Sequence, residues 1–312
     1  MSAPSMTTQV ERYLSLRRAM GFELGIAGQQ LMQFARFVDA AGTRVVRLEI
    51  ISAWAAAARK PTPLTCARRI EVIRPFVRYL KQLDPAHEVP ERNQFDRAHR
   101  RLTPHIFSPA EIEQLLAAAT RLSPTRRVCP LCYQTLFGLI ACTGLRLGEA
   151  LGLTLKNADL AAGMLTLRRT KFRKTQLVAL HPTAIEPLSR YRMQRKHRPP
   201  LNECFFVDHE GAALTADHVD YVFEKLCAAL GWKPRGGHPR IRVTDLRHTF
   251  ITRRLALWQA NGTDIDHATL ALSTYVGHAK VTDTYWYLTA TPELMQTAGA
   301  RFEAFVQGDR HG

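Results

Sequence analysis

Hydrophobic residues in the first part of the chain recur with the period of an α-helix. Leu31, Phe34, Ala35 and Val38 share one helical face before a stop at Gly42. Residues 68–83 likewise place their aliphatic side chains on one face and Arg74 and Arg78 on another, with Pro75 expected to kink or divide the helix. The pattern predicts a compact bundle of about four helices in residues 7–83.

A polar, proline-containing segment follows this bundle. Residues 85–105 are rich in charge and lack apolar periodicity, which is typical of a linker. A new helix is predicted to begin after Ser108, because Pro109 and Glu111 complete the pattern of a capping box. The sequence therefore predicts an N-terminal domain over residues 1–84, a linker over 85–105 and a second domain over 106–312.

The second domain combines helices with a small β element. Residues 165–180 alternate over two β-prone runs around a basic centre, which predicts an antiparallel hairpin that residues 204–208 could join. Helical periodicity resumes over 215–231, where Gly231 is expected to close a helix. The predicted fold class is mainly α: an N-terminal helical bundle, then a mixed, mostly helical domain with a small antiparallel β-sheet.

Charge narrows the range of partners. The 312 residues contain 43 Lys and Arg against 27 Asp and Glu, a formal net charge of +16. Such an excess favours a polyanion, with nucleic acid ahead of an anionic membrane surface. No apolar run approaches the ~20 residues of a membrane span, and the N-terminus lacks the apolar core of a signal peptide. A cytoplasmic protein with no membrane partner is expected.

The cysteines do not indicate a metal site. Only Cys129 and Cys132 among the six form a CxxC pair, and no second pair or zinc-spaced histidines accompany it. Packing at the start of a helix is therefore favoured over metal binding. No metal and no cofactor are predicted.

Five residues stand out as candidates for chemistry on phosphate. They are Arg146 in "TGLRLGEAL", Lys171 in "RRTKFRKTQ", Arg247 in "TDLRHTF", and His278 and Tyr287 in "GHAKVTDTYWYL". Each alone has an ordinary alternative: a solvated arginine, a nonspecific phosphate contact, a structural histidine or a core tyrosine. Their combination and order carry more weight than any one of them.

In this order the motifs resemble the catalytic set of the tyrosine recombinases, the phage integrase family. The resemblance covers nearly the whole chain, since the helical bundle corresponds to the family's core-binding domain and residues 106–312 to its catalytic domain. The family's tyrosine stands nine residues after its Gly-His histidine, which selects Tyr287 over Tyr285. Tyr285 and Trp286 are then expected to pack around Tyr287, while His278 would attend its hydroxyl or hold a nonbridging phosphate oxygen.

The chemistry that the resemblance implies suits these residue types. Arg146 and Arg247 would clamp the nonbridging phosphate oxygens, because a guanidinium donates in a bidentate fork and stays charged. Lys171 would protonate the 5′-oxygen that leaves, and Tyr287 would attack the phosphorus. Glu149, one turn after Arg146, is expected to orient that guanidinium.

One position departs from the family's pattern. The family usually reads His-x-x-Arg where this chain has Thr244 before Arg247. Threonine is a poor proton donor, and Thr244 would also serve as the N-cap of the following helix. His248 is expected to buttress the site rather than to replace the missing acid, because a shift of one residue turns a helical side chain by about 100°.

The resemblance implies a site-specific recombinase or integrase that cleaves and rejoins double-stranded DNA through a 3′-phosphotyrosyl intermediate, in integration, excision or transposition of a mobile element. It implies a homo-tetramer in the synaptic complex, with partner recombinases or accessory DNA-bending proteins as further partners, acting at the bacterial nucleoid. A C-terminal helix over residues 291–310 could pack in its own domain or on a neighbouring copy. A type IB topoisomerase-like enzyme is an alternative, and so is a catalytically silent DNA-binding protein, which Thr244 would favour.

Overall fold

The chain forms two compact units in a computed structural model. The structure describes residues 4–59, 61–91, 101–125, 128–168, 175–195 and 202–290. For residues 289 and 290 it describes the backbone alone. Unit 1 comprises Met1–Arg101 and unit 2 comprises Leu102–Gly312, so the division falls inside the segment predicted as a linker.

Unit 1 is a bundle of four helices over its described residues. They are α1 (Met6–Ala19), α2 (Gly25–Ala40), α3 (Leu48–Ala56) and α4 (Pro63–Leu83). Their apolar faces meet in one core, in which the rings of Phe34 and Trp54 pack edge to face at 5.1 Å. The predicted bundle is confirmed.

Helix α4 runs through Pro75 without being divided. A proline inside a helix costs about 3 kcal/mol, but Ile73, Phe76 and Val77 on either side of it are buried in the core of unit 1. Each such side chain contributes roughly 1.5–3 kcal/mol on burial. Packing of this face therefore outweighs the local cost of the proline.

Arg74 is buried although it lies on a different face of α4 from the aliphatic side chains. It is 5% exposed, pairs with the Glu71 carboxylate, and donates from Nε to the Pro90 carbonyl (3.0 Å) and from Nη2 to the Glu91 carbonyl (2.6 Å). These bonds hold the chain after α4 against unit 1 as far as Glu91. Residues 92–100 of the predicted linker lie outside the described residues.

Unit 2 is mostly helical. Its elements are α5 (Pro109–Thr120), α6 (Pro130–Thr143), α7 (Leu147–Leu151), a 3₁₀ turn (Leu155–Asn157), β1 (Ala158–Asp159), β2 (Met164–Leu167), β3 (Gln176–Ala179), α8 (Pro182–Arg195), α9 (Ala216–Ala229), α10 (Val243–Ala260), α11 (Ile265–Tyr275) and α12 (Thr282–Ala290). The predicted capping box at the start of α5 is present: Glu111 N–H donates to Ser108 Oγ (3.1 Å), and Ser108 N–H donates to Glu111 Oε2 (2.7 Å). Helix α9 is followed by Gly231 at φ +69°, as its pattern predicted.

The sheet is antiparallel, in the order β1-β2-β3. Leu165 pairs with Val178 and Leu167 with Gln176, as expected of the hairpin. The prediction that residues 204–208 add a strand is wrong, because β1 fills that place. Phe205 and Phe206 are buried in the core of unit 2, and the neighbouring Cys204 and Val207 form isolated bridges with Thr154 and Ala213 outside the sheet.

The fold class is thus mainly α with a small antiparallel sheet, as predicted. Among the residues that the structure describes, no helix has the length and apolar character needed to cross a membrane.

Candidate active site

Two helix C-termini in unit 2 form the frame of the site. Helix α11 ends in a Schellman motif, in which Gly277 N–H donates to the Thr274 carbonyl (3.1 Å) and His278 N–H donates to the Ser273 carbonyl (2.9 Å). This motif requires a left-handed residue, and Gly277 has φ +66°. The Gly-His pair is therefore a helix stop that fixes the position of His278. Helix α6 ends in a similar way at Gly144, which has φ +67°.

Arg247 bridges these two helix ends. It lies on α10, is 5% exposed, and donates from Nη1 to the Gly144 carbonyl (2.6 Å) and from Nη2 to the Val276 carbonyl (2.7 Å). The C-terminal end of a helix carries partial negative charge, which favours a cation there. Burial, followed by the charge of Arg146, lowers the pKa of Arg247 to about 10, so the side chain is a cation at neutral pH.

Arg146 lies beside Arg247 at the start of α7. Its Nη2 donates to the Gly277 carbonyl (2.9 Å), and its Nη1 pairs with Glu149 Oε1 at 2.5 Å. Glu149 Oε2 accepts the backbone N–H of Arg146 (2.9 Å) and lies 4.0 Å from Arg247 Nη1. One carboxylate therefore orients the first guanidinium and lies close to the second. The side chain of Arg146 is 33% exposed, whereas that of Arg247 is 6% exposed.

Tyr287 is buried on α12, at 3% exposure. Its hydroxyl lies 2.6 Å from His248 Nδ1, and the ring of Trp286 packs edge to face against the tyrosine ring at 5.1 Å. The imidazole of His278 lies nearly parallel to the tyrosine ring, with centroids 6.3 Å apart, and its Nδ1 bonds to Thr284 Oγ1 (2.7 Å).

This arrangement differs from the expectation that His278 attends the tyrosine hydroxyl. The histidine at hydrogen-bond distance is His248, which was predicted only to buttress the site. The rotation of about 100° between Arg247 and His248 accounts for the difference. It turns Arg247 toward the ends of α6 and α11, and it turns His248 toward α12.

His248 is uncharged at neutral pH. Burial, together with the positive charges of Arg242 and Arg247 and the nearby His238 and His278, lowers its pKa to about 3. A neutral imidazole carries one N–H and one acceptor nitrogen. In the tautomer protonated at Nε2, Nδ1 accepts the hydrogen bond of the Tyr287 hydroxyl.

The prediction that Thr244 caps α10 is wrong. The helix begins at Val243 with Arg242 as its N-cap, and Thr244 is an exposed residue of the first turn. The Arg242 N–H donates to Asp245 Oδ2 (2.9 Å), and its Nη2 pairs with Asp245 Oδ1 (2.6 Å). Asp245 is fully buried, so its carboxylate accepts the backbone N–H at the start of the helix from the interior of the domain.

Tyr285 does not pack around Tyr287 as expected. It is 37% exposed, and its hydroxyl donates to Asp266 Oδ1 on α11 (2.8 Å). Two residues along a helix correspond to a rotation of about 200°, which places Tyr285 and Tyr287 on opposite faces of α12. The hydrogen bond attaches α12 to the first turn of α11.

The hairpin that carries Lys171 is attached to this site at its base. Lys171 itself lies outside the described residues, as do residues 291–312 with the predicted C-terminal helix. Gln176, at the start of β3, donates from Nε2 to the Tyr275 carbonyl at the end of α11 (2.5 Å). Tyr275 donates its hydroxyl to the Ala179 carbonyl (3.0 Å). Sequence reasoning missed Gln176, because a single glutamine in a basic hairpin gives no signal of its own.

No group of three or more His, Cys, Asp or Glu side chains that could hold a metal ion occurs in the described part of the chain. Cys129 and Cys132 are buried in the core of unit 2 at the start of α6.

Comparisons with known proteins identify the family to which this chain belongs. Residues 105–293 match the model of the Phage integrase family. A Sinorhizobium fredii protein named as an integrase/recombinase, y4rB, is 34% identical over 300 residues, covering 94% of this chain and 96% of its own. Tyrosine recombinase XerD of Lacticaseibacillus casei is 27% identical over 72% of each chain.

Solved structures share the fold. The Tn1549 transposon integrase, solved with a circular intermediate DNA, superposes with a TM-score of 0.69 at 17% identity, over 97% of this chain and 100% of the other. The XerH site-specific recombinase in a post-cleavage complex superposes with a TM-score of 0.64 at 19% identity, over 95% of this chain and 85% of the other. By its family match and its full-length relative, this chain belongs to the phage integrase family, the tyrosine-type site-specific recombinases.

Proposed function

We propose that this protein cleaves and rejoins double-stranded DNA at a specific site, with Tyr287 as the nucleophile, and so moves a mobile genetic element. The observation that carries the proposal is the fixed pair of arginines beside the buried tyrosine. Arg146 and Arg247 are held by the carbonyls of Gly144, Val276 and Gly277, the last two of which directly precede His278.

Two guanidinium groups held this closely favour an anionic ligand. Like charges at short distance repel, and the Glu149 carboxylate, which pairs with Arg146 and lies 4.0 Å from Arg247, compensates this repulsion in part. Each guanidinium has five N–H donors, and the hydrogen bonds from Arg146 to Glu149 and Gly277 engage one on each Nη. A phosphate at this position would gain charge-assisted bonds and relieve the repulsion. Donors fixed in advance stabilise the charge that develops in the transition state.

The reaction transfers a phosphoryl group of the DNA from the 5′-oxygen to the tyrosine oxygen. Tyr287 Oη bonds to the scissile phosphorus, the bond from phosphorus to the 5′-oxygen breaks, and Lys171 supplies the proton that converts this oxygen to a hydroxyl. The 3′-phosphotyrosyl link retains the bond energy, so a 5′-hydroxyl of another strand reverses the step without ATP. His278, fixed by Thr284, would contact a nonbridging oxygen.

DNA is the partner that the charge of +16 favours. We infer that unit 1 acts as the core-binding domain and unit 2 as the catalytic domain, and that four copies assemble on two duplexes, with accessory DNA-bending proteins where the element needs them. The site of action is then the bacterial nucleoid.

The test is covalent capture of DNA. The protein is incubated with duplexes that carry the ends of its element and a nick next to the cleavage site, so that the released fragment diffuses away. After denaturation, wild type is expected to remain attached to the DNA, while Tyr287→Phe is not. Tyr285→Phe is the matched control, because its hydroxyl lies on the other face of α12 bound to Asp266. An adduct that persists in Tyr287→Phe and disappears in Tyr285→Phe would refute the assignment.

A catalytically silent DNA-binding protein remains the second candidate, since Thr244 occupies a position where the family usually has histidine. Salt-sensitive binding of the duplexes without an adduct from wild type would favour it.

A further inference from the structure

The contact between His248 and Tyr287 leads beyond the proposed function, on which this inference rests. The 2.6 Å separation of Nδ1 and Oη is short for a bond to a neutral nitrogen acceptor. The centroids of the two rings lie 5.5 Å apart, and Trp286 packs against both rings. The histidine is therefore placed to take the proton that a tyrosine nucleophile must lose.

Thr244 and His278 are placed differently from His248 with respect to the tyrosine hydroxyl. Thr244 is exposed on the first turn of α10, and a hydroxyl has no useful pKa for proton transfer. His278 uses Nδ1 for Thr284 Oγ1, and its ring lies parallel to the tyrosine ring rather than end-on to the hydroxyl. His248 Nδ1, in contrast, lies 2.6 Å from the hydroxyl of the nucleophile.

The surroundings of His248 explain why it does not take this proton in the resting protein. Arg247 lies on its own helix and Arg242 is the N-cap of that helix. His238 lies on the preceding loop and His278 on the loop after α11, while Tyr287 and Trp286 face it from α12. Burial disfavours the protonated imidazole most, and the positive charges of Arg242 and Arg247 add to its effect. Protonated histidine is therefore disfavoured until negative charge arrives nearby.

We propose that His248 is the general base that accepts the proton of Tyr287, and that the scissile phosphate activates this base by neutralising the cations around it. The phosphate is the anion that Arg247 and His278 are placed to bind, so substrate binding and nucleophile activation become one event. Without DNA, Tyr287 stays protonated, buried and unreactive.

The Oη–H bond of Tyr287 breaks and its proton passes to His248 Nδ1, while Oη bonds to phosphorus and the bond to the 5′-oxygen breaks. The leaving oxygen takes its proton from Lys171, not from His248. In rejoining, His248 returns the proton to the tyrosine oxygen as the phosphotyrosyl bond breaks.

The decisive experiment separates the nucleophile from the leaving group. Single-turnover cleavage is measured on nicked duplexes that contain either the normal phosphodiester or a 5′-bridging sulfur, whose thiolate leaves without a proton. His248→Asn keeps an acceptor oxygen near the place of Nδ1 but takes no proton. We expect it to cleave both substrates about 10²-fold more slowly than wild type at pH 7, which is the usual contribution of a general base.

Two further features distinguish a base from a structural residue. The defect of His248→Asn is expected to shrink as the pH rises toward the ordinary tyrosine pKa of about 10, because hydroxide then removes the proton. Lys171→Ala, in contrast, should recover on the sulfur substrate. His267→Asn is the matched control, since this histidine is exposed on α11 and bonds to Asp264; it should cleave like wild type.

The proposal is overturned if His248→Asn cleaves within threefold of wild type, if the sulfur substrate restores it, or if its defect is the same at every pH. Wild type that forms no adduct on either substrate would refute the proposed function itself, and with it this inference.

A second measurement does not depend on an active His248 variant. In Tyr287→Phe labelled with ¹⁵N-histidine, the titration midpoint of His248 is followed with and without the duplex, and the signal is assigned by its loss in Tyr287→Phe/His248→Asn. We expect DNA to raise the midpoint. A midpoint unchanged by DNA would overturn activation by the phosphate.

Discussion

Gln176 on β3 donates its side-chain amide to the main-chain carbonyl of Tyr275 at the end of α11, over 2.5 Å. The bond joins the base of the hairpin that contains Lys171 to the helix end that presents His278. Gln176 and Tyr275 are 99 residues apart in sequence. Their contact, together with the hydrogen bond from the Tyr275 hydroxyl to the Ala179 carbonyl, sets how the hairpin meets the Gly-His turn.

Removing the Gln176 amide should slow cleavage without unfolding the protein. In Gln176→Ala the hairpin loses its hydrogen bond to α11, so Lys171 samples more positions around the leaving oxygen, and misplacement by about 1 Å can cost up to 10²-fold. We expect single-turnover cleavage to fall by roughly tenfold, with recovery on the 5′-bridging sulfur substrate, which needs no acid. Leu177→Ala is the control, because that side chain is 62% exposed on the neighbouring position. Equal rates in the two variants would contradict this role of Gln176.

A side chain at Gly277 should disturb the same contact. A Cβ there would lie 2.4 Å from Gln176 Oε1, and the φ of +66° adds left-handed strain. Gly277→Ala should therefore lose about 1–2 kcal/mol of stability and cleave more slowly, since Gln176 must leave Tyr275 to make room.

Gly262→Ala separates the two effects. Gly262 has φ +71° but nothing within 4 Å of its would-be Cβ, so this variant carries the strain without the clash. Unfolding and cleavage are measured for both. Similar stability losses with slow cleavage only in Gly277→Ala are expected; normal cleavage by Gly277→Ala would contradict the argument.

The sequence predicted the fold well where local signals were strong. The capping box at Ser108 and the helical periods of unit 1 are short-range patterns, and the structure confirms both elements. The sequence allows residues 204–208 as a possible third strand because an apolar run in a core loop and one in a short strand look alike in sequence. The two-residue strand β1 is too short to leave a pattern.

For the site, the sequence indicated which residue types would meet but not their pairing. The structure brings Arg146, Glu149, Arg247, His278 and Tyr287 together, yet the tyrosine bonds to His248 and the helix cap is Arg242. Both outcomes depend on where α10 begins and how it is rotated against α12. That rotation is set by packing between helices, which a single sequence does not record.

Glu149 should stabilise the pair of arginines electrostatically. Its carboxylate is 10% exposed and contacts Arg146 at 2.5 Å, with Arg247 at 4.0 Å. In Glu149→Gln the two guanidinium groups lose the negative charge between them, and we expect the free energy of unfolding to fall by about 2–3 kcal/mol. Sulfate should raise the melting temperature of this variant more than that of wild type, since the bound anion can replace the negative charge that the two arginines have lost.

Glu203→Gln is the matched control for this substitution. Glu203 pairs with Lys156 at 2.6 Å, but both side chains are largely exposed, and such pairs contribute at most about 1 kcal/mol. If Glu149→Gln were no less stable than Glu203→Gln, the arginine pair would not need the carboxylate.

The neutral state of His248 predicts how stability depends on pH. Its pKa is about 3 in the folded protein against 6.5 ordinarily, so between these values the unfolded chain binds a proton that the folded one does not. Stability is therefore fully present above pH 6.5 and is lost as the pH falls from 6.5 toward 3. His105, whose pKa burial also lowers, acts in the same direction and is unchanged in a His248 variant.

We expect wild type to lose about 2 kcal/mol more of its free energy of unfolding than His248→Phe between pH 7.5 and pH 5.0. Urea unfolding of both proteins at the two pH values measures this difference. Equal losses would show that His248 titrates normally in the folded protein. The nearby positive charges would then not lower its pKa.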